Sequence, residues 1–293
     1  MKNRFVTVAT VQNAVSADLK NNLIKTVKLV EQAVKKGAQI ICLEELFRTP
    51  YFPQYQNARK DDFSETIPGE STKIFSAIAK KYKVVIIVPV FEKDKLGKYH
   101  NSAAVINVDG KLMPTYRKIH IPQDYLFYEK NYFKESNSGY KIYKTKYATF
   151  AVLICYDQWF PEAARTVRLA GADIIFYPTA IGNIFNVKEE EGDWHKAWED
   201  IMRGHSIANS LYVVAVNRVG REDKLKFWGQ SFVCNPFGKV IKRASANKNE
   251  IIISKINLAE NKKITEEWGF MRNRRTDTYQ ALIKNNNIKK SGK

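Results

Sequence analysis

Ala148-Thr149-Phe150-Ala151-Val152-Leu153-Ile154-Cys155-Tyr156-Asp157-Gln158-Trp159-Phe160-Pro161-Glu162 is the stretch on which the fold turns. Its first seven residues are mostly apolar and strand-like, and a helix has to begin soon after, with Pro161 as first helical residue, Glu162 in the first turn and Gly171 just beyond the end. A second buried strand follows over Asp173 to Tyr177. Strand, helix and strand within about thirty residues make one βαβ unit, and hence a parallel pair in an α/β protein. Cys155 stands at the strand-to-helix turn. Two readings fit it: a buried cysteine that packs, or a nucleophile exposed to ligand near a helix N-terminus, where the thiolate is favoured.

Outward from this unit the alternation continues. Phe5 to Val11 reads as a strand. Ser16 can cap a helix in which Leu19, Leu23, Val27, Val30 and Val34 form one apolar stripe ending at Gly37. Gln39 to Leu43 is a buried strand, Ser71 to Tyr82 a helix, and Val84 to Val90 a β-branched strand of the kind covered on both faces. Ala103 to Val108 runs into the hairpin signal Asp109-Gly110. Towards the C-terminus we expect a helix from about Asp193 to Ser210, strands at Tyr212 to Val216, Ser231 to Cys234 and Ile251 to Ile256, and a turn at Asn235-Pro236-Phe237-Gly238. Two sheets with helices outside them satisfy this pattern. With no linker-like stretch, residues 1–284 read as one domain and 285–293 as a frayed basic tail.

Composition narrows the chemistry. No apolar run approaches the roughly 18 residues of a membrane span, and Met1-Lys2-Asn3-Arg4 leads straight into a strand rather than a signal-peptide core, so a cytoplasmic protein is expected. Cys42, Cys155 and Cys234 are too few and too far apart for a disulfide framework, and His100, His120, His195 and His205 show no two-ligand spacing, so no metal is expected. The net charge of +18 eases non-specific contact with polyanions. The basic residues are nevertheless spread along the chain with no nucleic-acid motif, and most of the excess reads as solvated surface without a specific nucleic-acid partner.

Two more charged residues follow strands: Glu45 after Ile41-Cys42-Leu43, and Lys118 after Met113-Pro114-Thr115-Tyr116-Arg117. With Cys155 they supply the parts for amide hydrolysis. A carboxylate takes the thiol proton, the thiolate attacks a carbonyl carbon, and an ammonium holds the oxygen as it becomes negative.

These blocks, Leu43 to Phe47, Tyr116 to Pro122 and Ile154 to Glu162, resemble the nitrilase superfamily of carbon-nitrogen hydrolases, and the likeness extends through Phe176 to Gly182, Met202 to His205, Asn217-Arg218, Trp268-Gly269 and Arg272 to Arg275. The string from Asp157 to Gly182 resembles the branch acting on carbamoylated polyamines. The resemblance implies a four-layer αββα sandwich, pairing into a homodimer or higher homo-oligomer, and a reaction without a cofactor. It implies Glu45 as general base, Lys118 as electrostatic stabiliser, Cys155 as nucleophile and Glu129 as a second glutamate beside the lysine. Tyr51, Tyr156, Gln158, Thr179 and Ala180 are the implied substrate contacts. The activity implied is cleavage of N-carbamoylputrescine to putrescine, carbon dioxide and ammonia through a carbamoyl-cysteine.

Relatives that take N-carbamoyl amino acids look to arginines just after the cysteine for the substrate carboxylate, and here that stretch is Asp157-Gln158-Trp159. The acidic loop Glu189-Glu190-Glu191-Gly192-Asp193 can attract an ammonium, or be an ordinary solvated loop. Other readings of the chain are a different ureido or amide hydrolase, such as a β-ureidopropionase-like enzyme, and a non-catalytic basic binding protein.

Overall fold

Ile40-Ile41-Cys42-Leu43 is buried along its whole length, and its side chains alternate between two apolar layers. Ile40 and Cys42 enter a core shared with Phe150, Val152 and Val214 of a second sheet. Ile41 and Leu43 enter another, with Leu23, Val30, Phe75 and Ile78 of two helices. A strand of period two buried on both faces needs a layer on each side, and here one layer is a sheet and the other is helical.

The computed structural model describes residues 3–188 and 190–284. The first half of the chain forms β1 (Phe5–Gln12), α1 (Leu19–Lys35), β2 (Ile40–Leu43), α2 (Glu70–Tyr82), β3 (Val85–Lys93), β4 (Tyr99–Ile106) and β5 (Tyr116–Arg117). Next come β6 (Ile142–Lys144), β7 (Thr149–Val152), α3 (Pro161–Leu169), β8 (Ile174–Thr179), β9 (Gly182–Ile184) and α4 (Trp194–Asn209). The last segment holds β10 (Tyr212–Asn217), β11 (Val219–Glu222), β12 (Leu225–Trp228), β13 (Phe232–Cys234), β14 (Val240–Arg243), β15 (Glu250–Asn257) and α5 (Ala259–Trp268).

Two six-stranded sheets, ordered β15-β1-β2-β3-β4-β5 and β14-β13-β10-β8-β7-β6, pack face to face, with α1 and α2 outside the first and α3 and α4 outside the second. This is the αββα sandwich expected. A small sheet, β11-β12-β9, lies beside them. The βαβ unit forms as read, with β7 parallel to β8 and Pro161 opening α3. The hairpin at Asp109-Gly110 forms too, with Gly110 at φ +81°.

The helix cap expected at Ser16 moves two residues on. Asp18 Oδ1 accepts the Asn21 N–H at 2.9 Å, while the Ser16 hydroxyl is already engaged with Asn22 at 3.0 Å. Among the described residues no helix is long and apolar enough to cross a membrane. Residues 285–293, read above as a tail, lie outside the described residues.

Candidate active site

The three polar residues picked out of the sequence meet where the strands of both sheets end. β2 lies between β1 and β3 and stops at Leu43, so Glu45 is delivered at the carboxyl end of a parallel strand. β5 ends at Arg117, and Lys118 is pinned by its own N–H to the Asn101 carbonyl at 2.8 Å. β7 ends at Val152, and Cys155 opens a short 3₁₀ turn, Cys155–Trp159, with φ +44°. The first sheet thus contributes a carboxylate and an ammonium, and the second contributes a thiol.

Asp157 holds that turn. Its Oδ2 accepts the Ile154 N–H at 2.9 Å and the Tyr116 hydroxyl at 2.7 Å, and its Oδ1 accepts the His120 N–H at 3.0 Å. Gln158 is locked as well: its Oε1 accepts from Trp198 Nε1 at 3.0 Å. Because an indole N–H only donates, the atom facing it has to be the amide oxygen.

Lys118 Nζ lies 2.9 Å from Glu45 Oε1 and 2.6 Å from Glu129 Oε2, all three side chains being sealed from solvent. Glu45 also accepts the Asn101 amide at 2.7 Å and the Ala180 N–H at 2.9 Å. Glu129 accepts the Tyr51 hydroxyl at 2.7 Å. Burial works against the Lys118 ammonium, but Glu129 and Glu45 outweigh it and hold the charge firmly in place. Burial pushes the Glu129 carboxyl up to about 7, with the Lys118 ammonium pulling against it.

The expectation that the Cys155 turn favours a thiolate is not met. Burial pushes the thiol well up, the Glu45 and Glu129 charges add to the shift, and Lys118 only partly opposes it. The physical reason is position: α3 begins only at Pro161, and Cys155, 7% exposed, lines a pocket rather than sitting on an open helix terminus. The surroundings thus hold Cys155 towards its thiol form.

That pocket has a volume of about 570 Å³. Of the implied substrate contacts, Tyr156, Gln158 and Ala180 line it, together with Cys155 and Glu129. Tyr51 and Thr179 do not. Tyr51 is buried behind Glu129, and the Thr179 hydroxyl is turned to the Tyr177 carbonyl at 3.1 Å. Of the acidic loop, Glu191 reaches the pocket and accepts from Trp194 Nε1 at 3.2 Å, Glu190 lines a neighbouring hollow, and Glu189 lies outside the described residues.

Sequence reasoning missed Asn101 and Trp194. Asn101 did leave a signal, since a polar residue within a strand buried on both faces needs a partner. Trp194 left none, because the first residue of a helix carries no periodic apolar signal of its own.

A thiol, two carboxyls and an ammonium brought together beside a pocket are the groups acyl transfer needs, and the carbon-nitrogen hydrolase family matches residues 7–265. The chain belongs to that family, within the nitrilase superfamily, and is an amidohydrolase. It is 39% identical to the N-carbamoylputrescine amidase of Solanum lycopersicum, over 96% of each chain. It is 37% identical to the citrullinase of Francisella tularensis, over 95% of this chain and 98% of that one. The crystal structure of a carbon-nitrogen hydrolase from Helicobacter pylori G27 superposes with a TM-score of 0.91 at 38% identity, covering 96% of this chain and 99% of that one.

Proposed function

We propose that the protein hydrolyses N-carbamoylputrescine to putrescine, carbon dioxide and ammonia through a carbamoyl-cysteine. The observation that carries this reading is the charge of the pocket wall. Its lining includes the carboxylates of Asp124 and Glu191 and the aromatic rings of Tyr125, Phe127, Trp159 and Trp194, and among the described residues no lysine or arginine. Such a wall suits a substrate with a neutral ureido end and a distant ammonium. It offers no charged partner to a free carboxylate such as that of N-carbamoyl-β-alanine.

Glu45 takes the Cys155 proton as the sulfur adds to the ureido carbon, so a thiol that rests neutral is no obstacle. Lys118 and the Tyr156 N–H stabilise the tetrahedral oxyanion. Glu45 then protonates the departing amine, putrescine leaves, and the same carboxylate activates water against the carbamoyl-enzyme. Carbamate and free thiol result, and the carbamate decomposes to carbon dioxide and ammonia. Glu129 positions Lys118. The family likeness supports the same roles, and also a homo-oligomer, for which the exposed Leu169, Leu282 and Ile283 beside α3 form a candidate contact face.

Citrulline is the second reading, since a citrullinase is among the relatives and its ureido end would meet the same residues. The test compares ammonia release from N-carbamoylputrescine, citrulline and N-carbamoyl-β-alanine. N-carbamoylputrescine is expected to give the highest kcat/KM. Glu191→Gln should raise its KM and spare kcat, the signature of lost uniform binding, while leaving an uncharged carbamoyl-alkylamine of equal length indifferent. Faster turnover of either amino-acid substrate would displace the proposal.

A further inference from the structure

The turn that presents Glu45 is strained. Leu46 has φ +52°, a left-handed conformation that is unfavourable for an L-residue and persists only where the surroundings impose it. Arg218 imposes it. The guanidinium is fully buried, and its Nη2 donates to the carbonyls of Glu45 at 3.0 Å, Leu46 at 2.8 Å and Thr49 at 3.1 Å. Its Nη1 donates to Glu222 Oε1 at 2.7 Å. Glu222 Oε2 in turn accepts the N–H of Tyr51 at 2.6 Å, and the Tyr51 hydroxyl is the one that rests on Glu129. One buried cation therefore ties down the whole segment from Glu45 to Tyr51, yet it is not part of the pocket wall.

Glu44 feels the charge of this clamp. It is fully buried, neither of its carboxyl oxygens has a hydrogen-bond partner among the described residues, and the Nε of Arg218 lacks one as well. The charged groups acting on it are Arg218, between β10 and β11, Lys25 on α1 and Glu222 on β11, and Glu44 itself bears on the Cys42 thiol of β2. Lys25 is already engaged with the Ala14 carbonyl. Burial pushes the Glu44 carboxyl up to about 8, against the pull of its own backbone N–H and then of Arg218 and Lys25, which favours the neutral form at pH 7.

We propose that Arg218 is a positioning residue for Glu45, and that the charge on Glu44 sets how tightly Arg218 holds the turn. A neutral Glu44 leaves the guanidinium to the carbonyls. An ionised one competes for it through the free Nε–H, loosens Leu46 and misplaces the carboxylate that has to reach the sulfur. The inference rests on Glu45 as the base proposed above.

Two readouts on the intact protein test it: ammonia release from N-carbamoylputrescine across pH, and alkylation of Cys155 by chloroacetamide, located by peptide mass, which needs no substrate. Arg218→Lys keeps the charge but offers one nitrogen to four acceptors. We expect kcat and the alkylation rate to fall by about tenfold to a hundredfold, as for a misplaced reacting group, with KM nearly unchanged. The wild type is expected to lose kcat above about pH 8, and Glu44→Gln should remove that fall. Wild-type kcat and alkylation in Arg218→Lys, or an unchanged alkaline limb in Glu44→Gln, overturns the proposal.

Thermal unfolding keeps the test decisive if Arg218→Lys fails to fold. A carboxyl whose pKa is raised on folding costs stability progressively as pH climbs from its ordinary 4.5 to about 8. The Tm of Glu44→Gln should therefore exceed that of the wild type by more at alkaline than at acid pH. Equal differences mean that no neutral acid is buried at position 44, and the proposal fails. Glu45→Gln separates this failure from that of the underlying reading: full alkylation and turnover there would remove Glu45 as the base, whatever Arg218 does.

Discussion

Cys155 carries its sulfur on a backbone at φ +44°, where only glycine is at ease. The turn stays there because Asp157 takes the Ile154 N–H and ties it to Tyr116 and His120, which belong to the first sheet's side of the site. Strain of this kind costs of order 1–3 kcal/mol and concentrates at functional positions. Two substitutions should reveal it. Cys155→Ala is expected to abolish turnover with the fold intact, since only the nucleophilic sulfur is lost. Cys155→Gly should be equally inactive yet match or exceed the alanine variant in Tm, reversing glycine's usual penalty of about 0.5–1 kcal/mol. A glycine variant that melts well below the alanine variant would show the turn to be unstrained. None of this strain could be read from the sequence, because Ile154-Cys155-Tyr156 has no glycine or asparagine to announce a left-handed residue.

The strands and helices that place Cys155, Glu45 and Lys118 were legible because each is apolar on a regular period and ends abruptly at a charged or polar residue. Elements without such a period were not. α5 buries a single residue, Asn261, and so has no apolar stripe to find. The β11–β12 hairpin alternates Arg221 and Lys226 with buried neighbours and turns at Asp223, which takes φ +49° without a glycine. That hairpin nevertheless builds the pocket, because β12 pairs with β9, whose Gly182 and Ile184 line it. Gly182 is where the two strands come closest: a Cβ there would lie 2.2 Å from the Lys226 carbonyl oxygen. Gly182→Ala should therefore push β9 off β12 and shift the wall, raising KM for N-carbamoylputrescine several-fold with a smaller effect on kcat. An unchanged KM would mean that β9 does not contact substrate.

Taken together, the sheets explain why three residues far apart in sequence form one site: Glu45 and Lys118 hang from the first sheet, Cys155 from the second, and the packing of Val6, Val8, Ile40 and Cys42 on Phe150, Val152 and Val214 fixes their distance. The sandwich itself was legible from the βαβ unit and the doubly buried strands. The pairing of β1 with β15 was not, because nothing local in Phe5 to Gln12 specifies a partner more than two hundred residues away. At the surface, Leu282 is 64% exposed, Ile283 79% and Leu169 50%, an apolar set beside α3 that a single copy leaves in water. Sedimentation should show an oligomer, and Leu282→Asp with Ile283→Asp should shift it towards monomer. A wild-type monomer would discard the homo-oligomer proposal. The β1–β15 pairing also has a consequence for how the protein is made. Every proposed catalytic side chain is part of the nascent chain once residue 155 has been added, but β1 keeps one bare edge until Glu250–Asn257 emerges and pairs with it. Throughout translation of the intervening chain, the nascent protein holds all its chemistry and an unfinished sheet, the state in which an exposed strand edge is most prone to pair with the wrong partner.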